Sequence, residues 1–89
     1  MMSDGNWDLI VDPGVRKALK RFPRHDQEAI DDAIISMRYD PYAGDIEKLK
    51  GKKNAWRRRV GSYRISYDLY AHQRTVLVYE VKRRTSTTY

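Results

Sequence analysis

An α+β domain, with two helices packed on one face of a twisted, four-stranded and mainly antiparallel sheet, is the fold class this sequence predicts. Three observations predict it. A chain of 89 residues is too short to build two hydrophobic cores, so residues 1–89 make one domain. Apolar residues recur at helical spacing in the first half and at alternating positions in the second. Turn and cap residues then divide the pattern into the order β-α-α-β-β-β.

Trp7 to Val11 is a short apolar run and reads as the first strand. Asp12-Pro13 starts a helix, with Asp12 as N-cap and proline at the first helical position. Val15, Ala18, Leu19 and Phe22 give that helix its apolar stripe, and Pro23 stops it. A second helix is expected from Arg24 to Tyr39, with Ala29, Ile30, Ala33, Ile34 and Met37 on one face. Asp26, Glu28, Asp31 and Asp32 crowd its first half, where the helix dipole favours negative charge. Asp40-Pro41 ends it, because the residue before proline avoids helical geometry.

Residues 42–54 read as a polar connection. Ala55–Val60 and Tyr63–Tyr70 form a hairpin through Gly61-Ser62, a two-residue turn with glycine where positive φ is needed. Thr75–Val81 (TVLVYEV) is β-branched and dense, suited to an inner strand buried on both faces.

Composition narrows the functional classes. The chain has no cysteine, which excludes disulfides and thiolate metal sites and suits a reducing compartment. No apolar run approaches the ~20 residues of a membrane helix, and MMSDGNWD lacks a signal-peptide core, so a cytoplasmic protein is expected. The net charge of +6 is unevenly placed. Residues 1–45 hold six Lys/Arg against nine Asp/Glu, a balance of −3, and residues 46–89 hold twelve against three, a balance of +9. That asymmetry predicts an acidic side and a strongly basic side.

The hairpin fixes where the basic side lies. With Gly61-Ser62 as the turn, Val60 pairs with Tyr63, Arg59 with Arg64, Arg58 with Ile65, Arg57 with Ser66 and Trp56 with Tyr67. Alternation puts Trp56, Val60, Tyr63, Ile65 and Tyr67 on the helix side and Arg57, Arg59 and Arg64 on the other. Directly opposed arginines repel at a cost of roughly 0.2–1 kcal/mol. Folding gains nothing evident from that arrangement, so a bound polyanion is the economical reason for it. Guanidinium suits phosphate because its planar fork donates bidentate hydrogen bonds. A merely solvated charged face is the plainer alternative. Arg58 points toward the apolar side and is expected to snorkel past Trp56 to water. Lys48, Lys50, Lys52 and Lys53 precede the hairpin, and Lys82, Arg83 and Arg84 leave the last strand; both groups extend the basic surface.

Taken in order, these residues resemble the RelE/ParE superfamily of toxins from type II toxin–antitoxin systems, and the RelE-like branch in particular. The resemblance rests on a first helix ending in RFPR, on DPY closing the second, and on Leu49-Lys50-Gly51. It continues through WRRRVGSYRISYDL from Trp56 to Leu69 and VLVYEVKRR…Y from Val76 to Tyr89. It implies a RelE-like microbial-RNase fold and an endoribonuclease that cuts messenger RNA on the ribosome without metal or other cofactor and so inhibits translation. The 2′-hydroxyl would attack the adjacent phosphate. By position, Arg64 is the arginine after the hairpin turn, Arg83 the arginine after the last strand, and Tyr89 the tyrosine six residues later.

These three are the expected catalytic residues. Arg57, Arg59, Lys50, Lys52, Lys53, Lys82 and Arg84 are the expected substrate-binding set. Arg57 and Arg59 stand where some members have lysines; arginine is effectively never a base, so both are assigned to binding and charge stabilisation. Tyr89 is then the leading base for the 2′-hydroxyl, its pKa lowered by the arginines. His25 and His72 match no family position and read as surface histidines. The implied partners are a cognate antitoxin, in a toxin–antitoxin hetero-oligomer, and the ribosome with its mRNA; no membrane is implied. A ParE-like inhibitor of DNA gyrase and a non-catalytic nucleic-acid-binding module are the alternatives. The arginine set and terminal tyrosine favour the nuclease over the first.

Overall fold

The computed structural model describes residues 7–84. Strand β1 (Asp8–Val11) leads into helix α1 (Pro13–Leu19) and helix α2 (Arg24–Ser36). Strands β2 (Ile46–Lys48), β3 (Ala55–Val60), β4 (Tyr63–Tyr70) and β5 (Thr75–Arg83) follow, with a 3-10 turn at Ala71–Gln73 between the last two. The described residues form one five-stranded sheet in the order β1-β5-β4-β3-β2, one strand more than the sequence predicts. The extra strand is β2, inside the segment expected to be a plain connection; its three residues pair antiparallel with Trp56–Arg58. β1 pairs in parallel with β5 and every other neighbour is antiparallel; from β1 at one edge the chain passes through both helices to β2 at the opposite edge, and β3, β4 and β5 then fill the sheet back toward β1.

Helix α1 begins as expected, with the Gly14 amide donating to Asp12 Oδ1 at 2.8 Å. It closes at Leu19 rather than Phe22, whose ring instead packs on Tyr63 with centroids 4.6 Å apart. Helix α2 stops at Ser36, three residues before Tyr39. The Ser36 hydroxyl donates back to the Ala33 carbonyl at 2.7 Å, and Met37, Arg38 and Tyr39 continue as tight i→i−3 turns.

The core lies between the helices and one sheet face. Val15, Leu19, Ile30, Ala33, Ile34 and Met37 meet Tyr63, Ile65, Tyr67, Leu69, Val76, Val78 and Val81 there. Ala29, expected on the buried face, is exposed. β5 is an inner strand, but only one of its faces is buried: Val76 and Val78 are fully covered while Leu77 is half-buried and Tyr79 exposed. Both helices pack on the same side, so nothing among the described residues covers the opposite face.

Arg58 does not reach for water. Its guanidinium donates to the Ala33 carbonyl at 3.3 Å and to Ser36 Oγ at 3.0 Å, at the carbonyl end of α2 where the helix dipole is negative. Gly44 makes room for it: a Cβ there would sit 2.7 Å from Arg58 Nε, and its φ of +90° favours glycine besides.

Candidate functional site

The uncovered sheet face carries the site. The hairpin register is the one predicted, with Arg59 opposite Arg64 and Arg57 opposite Ser66. Arg64 in turn faces Lys82 on β5, so Arg59, Arg64 and Lys82 form one row across three strands. The next row along the same face runs Glu47, Arg57, Ser66 and Glu80. A cavity of about 250 Å³ opens here, lined by Arg57, Arg64, Ser66, Glu80, Lys82, Arg83 and Arg84. A smaller hollow of about 50 Å³ adjoins it, lined by Asp45, Glu47, Arg57, Arg59 and Arg64. Arg57 and Arg64 border both.

The charges are partly compensated, a feature the sequence reading lacked. Asp45 Oδ2 lies 3.5 Å from Arg59 Nε, and Glu80 Oε2 lies 3.7 Å from Lys82 Nζ. Exposed pairs this long stabilise by about 1 kcal/mol or less. Arg64, between those two cations, forms no salt bridge with any described residue, and neither does Arg57. In the larger cavity five cationic side chains face one carboxylate, which leaves an excess of positive charge. An anion placed between Arg57 and Arg64 would relieve a repulsion that the fold leaves standing.

Arg83 departs from the expected cluster because of a β-bulge. The pairing of β4 with β5 shifts between Ser66 and Tyr67: Ser66 faces Glu80 while Tyr67 faces Val78, leaving Tyr79 as the extra residue. A one-residue shift exchanges faces for everything beyond it. Glu80 and Lys82 are thereby brought to the arginine face, and Val81 and Arg83 go to the helix side. Arg83 pairs with Tyr63 and its guanidinium carbon lies 5.9 Å from that ring centroid, although the residue still borders the cavity. The Tyr63 hydroxyl donates to Asp26 Oδ2 at 2.8 Å, fixing the ring beneath Arg83. Burial raises the Tyr63 pKa, with the hydrogen bond to Asp26 adding to the rise and the Arg83 charge opposing it.

Of the other expected residues, Lys82 and Arg84 line the cavity. Lys50, Lys52 and Lys53 do not; they are exposed in the β2–β3 connection, toward the far end of the hairpin from its turn. Tyr89 lies outside the described residues. His25 is exposed and sits 3.1 Å from Asp26, and His72 is exposed in the 3-10 turn. Among the described residues no three His, Asp or Glu side chains gather as metal ligands. No helix among them is long and apolar enough to cross a membrane.

Sequence reasoning missed Asp45, Glu47, Ser66, Glu80 and Tyr79. The first two come to the face only because β2 exists, and the last two share it only because of the bulge. The Tyr79 phenol is raised in pKa chiefly by burial and by neighbouring Asp68 and Glu80, while Arg57 and a hydrogen bond with Ser66 pull it down.

No protein-family model matches the sequence, and no curated protein matches it. Solved structures do match in fold. The RelE–RelB complex of the archaeon Pyrococcus horikoshii superposes with a TM-score of 0.80 at 22% identity, covering 92% of this chain and 99% of that one. The RelBE2 toxin–antitoxin complex of Mycobacterium tuberculosis gives 0.76 at 18% identity, covering 89% and 99%. The isolated E. coli RelE toxin gives 0.75 at 17% identity, covering 91% and 87%. Near-complete coverage in both directions means that the helices and the sheet correspond as a whole, so the chain has the fold of the RelE/ParE-type toxins.

Proposed function

We propose that the chain is the toxin of a type II toxin–antitoxin pair, and that it is an endoribonuclease cutting mRNA on the ribosome in the cytoplasm. The observation that supports this best is the Arg59–Arg64–Lys82 row, whose central arginine has no carboxylate partner among the described residues and borders a cavity with a cationic excess. Uncompensated guanidinium on a solvent-open sheet suits a phosphodiester. The fold it stands on is that of proteins described as RelE toxins.

In this reading Arg57 and Arg64 hold the non-bridging oxygens of the scissile phosphate, with Arg59, Lys82 and Arg84 placing the flanking backbone. The 2′-oxygen attacks the adjacent phosphorus, the bond to the 5′-oxygen breaks, and the products are a 2′,3′-cyclic phosphate and a 5′-hydroxyl end. The arginines stabilise the extra negative charge of the pentacoordinate species, a role they fill without proton transfer. Arg83, at the cavity margin, hydrogen-bonds the departing 5′-oxygen, which takes its proton from solvent water to become the 5′-hydroxyl. The proton of the 2′-hydroxyl needs an acceptor, and guanidinium cannot be one. Tyr89 is assigned that role; among the described residues facing the two hollows, Glu80, Glu47 and Asp45 are the carboxylates able to share it.

The cognate antitoxin is inferred to be an acidic or amphipathic segment that masks the arginine face, in keeping with neighbours crystallised as toxin–antitoxin complexes. Mapping RNA 5′ ends in a defined translation system tests the reading. Wild type is expected to cut mRNA on translating ribosomes, and Arg64→Ala and Arg83→Ala to lose most cutting, on the order of 100-fold or more for a charge-stabilising donor, while staying folded. Undiminished cutting by both variants removes the site assignment.

A further inference from the structure

The bulge that brings Glu80 and Lys82 to the arginine face also leaves an aromatic ring beside them. Tyr79 is 36% exposed, and among the described residues its ring makes no aromatic or cation–π contact, unlike Trp7, Phe22, Tyr42, Trp56 and Tyr63. It is the unpaired residue of the bulge, next in the chain to Glu80, which faces the buried Ser66; both Glu80 and Ser66 line the cavity. Tyr79 lines neither hollow itself but is the immediate chain neighbour of a residue that lines the larger one, and it is exposed. Burying its ring in a core would have required an apolar layer over the sheet, and the described residues supply none.

Charge changes character along this face. Around Arg64 it is cationic; one strand position beyond Ser66 and Glu80 it is aromatic, with Tyr79 near Asp68 and with the Tyr70 hydroxyl donating to Asp68 Oδ2 at 3.2 Å. A carboxylate repels a phosphate but accepts hydrogen bonds from the N–H groups of a base edge. Successive rows on one sheet face are about 7 Å apart, comparable to the reach of a nucleotide from its phosphate to its base. Phosphate suits the arginine end and a nucleobase suits the tyrosine end.

We propose that Tyr79 is a base-stacking subsite, receiving on its ring the nucleobase next to the phosphodiester held by Arg57 and Arg64. This rests on the RNA reading of the cavity and adds to it: the ligand is single-stranded RNA, since only an unpaired base offers its face to a side chain. Stacking would be tolerant of sequence, because every base has a π face, and would hold the substrate in register across the cavity.

The test uses short, labelled single-stranded RNA oligomers with equal numbers of phosphates, one bearing bases and one abasic, titrated with the full chain and followed by fluorescence anisotropy. Wild type is expected to prefer the base-bearing oligomer. Tyr79→Ala is expected to bind that oligomer on the order of ten-fold more weakly and to bind the abasic one as wild type does. Tyr79→Phe, which keeps the ring, retains the preference, and thermal melts check that both variants are folded. Arg64→Ala is expected to weaken both oligomers equally. If Tyr79→Ala leaves both affinities unchanged, or weakens both alike, the stacking subsite is overturned while the arginine cavity stands. If Arg64→Ala changes neither affinity, the RNA reading fails and the subsite fails with it.

Discussion

Arg58 and Tyr67 are neighbours on the helix side, and each carries a polar group into the core on a specific acceptor. The Arg58 guanidinium replaces the solvent it would have reached by snorkelling with the Ala33 carbonyl and the Ser36 hydroxyl at the end of α2. Gly44 is the residue that permits this, and Gly44→Ala would put a methyl group against the guanidinium at a backbone angle hostile to side chains. A loss of about 1–3 kcal/mol is expected from chemical denaturation. Tyr67 donates to the Pro41 carbonyl at 2.9 Å in the middle of the core, and burial pushes its pKa up to about 12, against an ordinary 10. Tyr67→Phe is expected to cost about 1–2 kcal/mol near neutral pH, since the carbonyl loses its partner. The fold favours the protonated phenol, so this contribution is complete below about pH 10 and disappears as pH rises toward 12. Denaturation series between pH 9 and pH 12 are therefore expected to show wild type losing stability more steeply than Tyr67→Phe.

At the scale of elements, what was legible followed from local chemistry. Asp12-Pro13 and Gly61-Ser62 are signals complete in themselves, so the first cap and the whole hairpin register could be read directly, including the opposition of Arg59 and Arg64. Two features could not. β2 is only Ile46-Glu47-Lys48, without β-branched density or alternation of its own, and it is a strand because β3 offers an unpaired edge. The bulge at Tyr79 carries no glycine or proline to mark it; it exists because Val78 and Val81 both belong in the core, which strict alternation forbids. These two features supplied the carboxylates of the site and turned Arg83 toward Tyr63. β2 also sets Glu47 opposite Arg57 in the smaller hollow, where its charge would oppose the proposed binding of a phosphate. Glu47→Gln is expected to tighten single-stranded RNA binding by roughly two- to five-fold at low salt, within the range of an exposed charge interaction. The same variant slows cutting if Glu47 shares the proton of the 2′-hydroxyl, so affinity and cleavage rate measured together separate its two effects.

Over the whole molecule, the uneven charge of the sequence becomes a division between layers. Asp26, Glu28, Asp31 and Asp32 ride on α2, while Arg57, Arg59, Arg64 and Lys82 stand on the opposite face of the sheet. The core between them keeps these fields apart, so a polyanion approaching the open face meets a mainly cationic surface. The salt dependence of binding tests the central claim, a phosphodiester held by the hairpin arginines, most directly. For a single-stranded RNA made uncleavable by 2′-deoxy substitution, log affinity is expected to fall linearly with log salt, and Arg64→Ala to make that slope shallower by about 0.7 for the one phosphate it no longer neutralises. An Arg64→Ala protein with the wild-type affinity and the wild-type slope would contradict it.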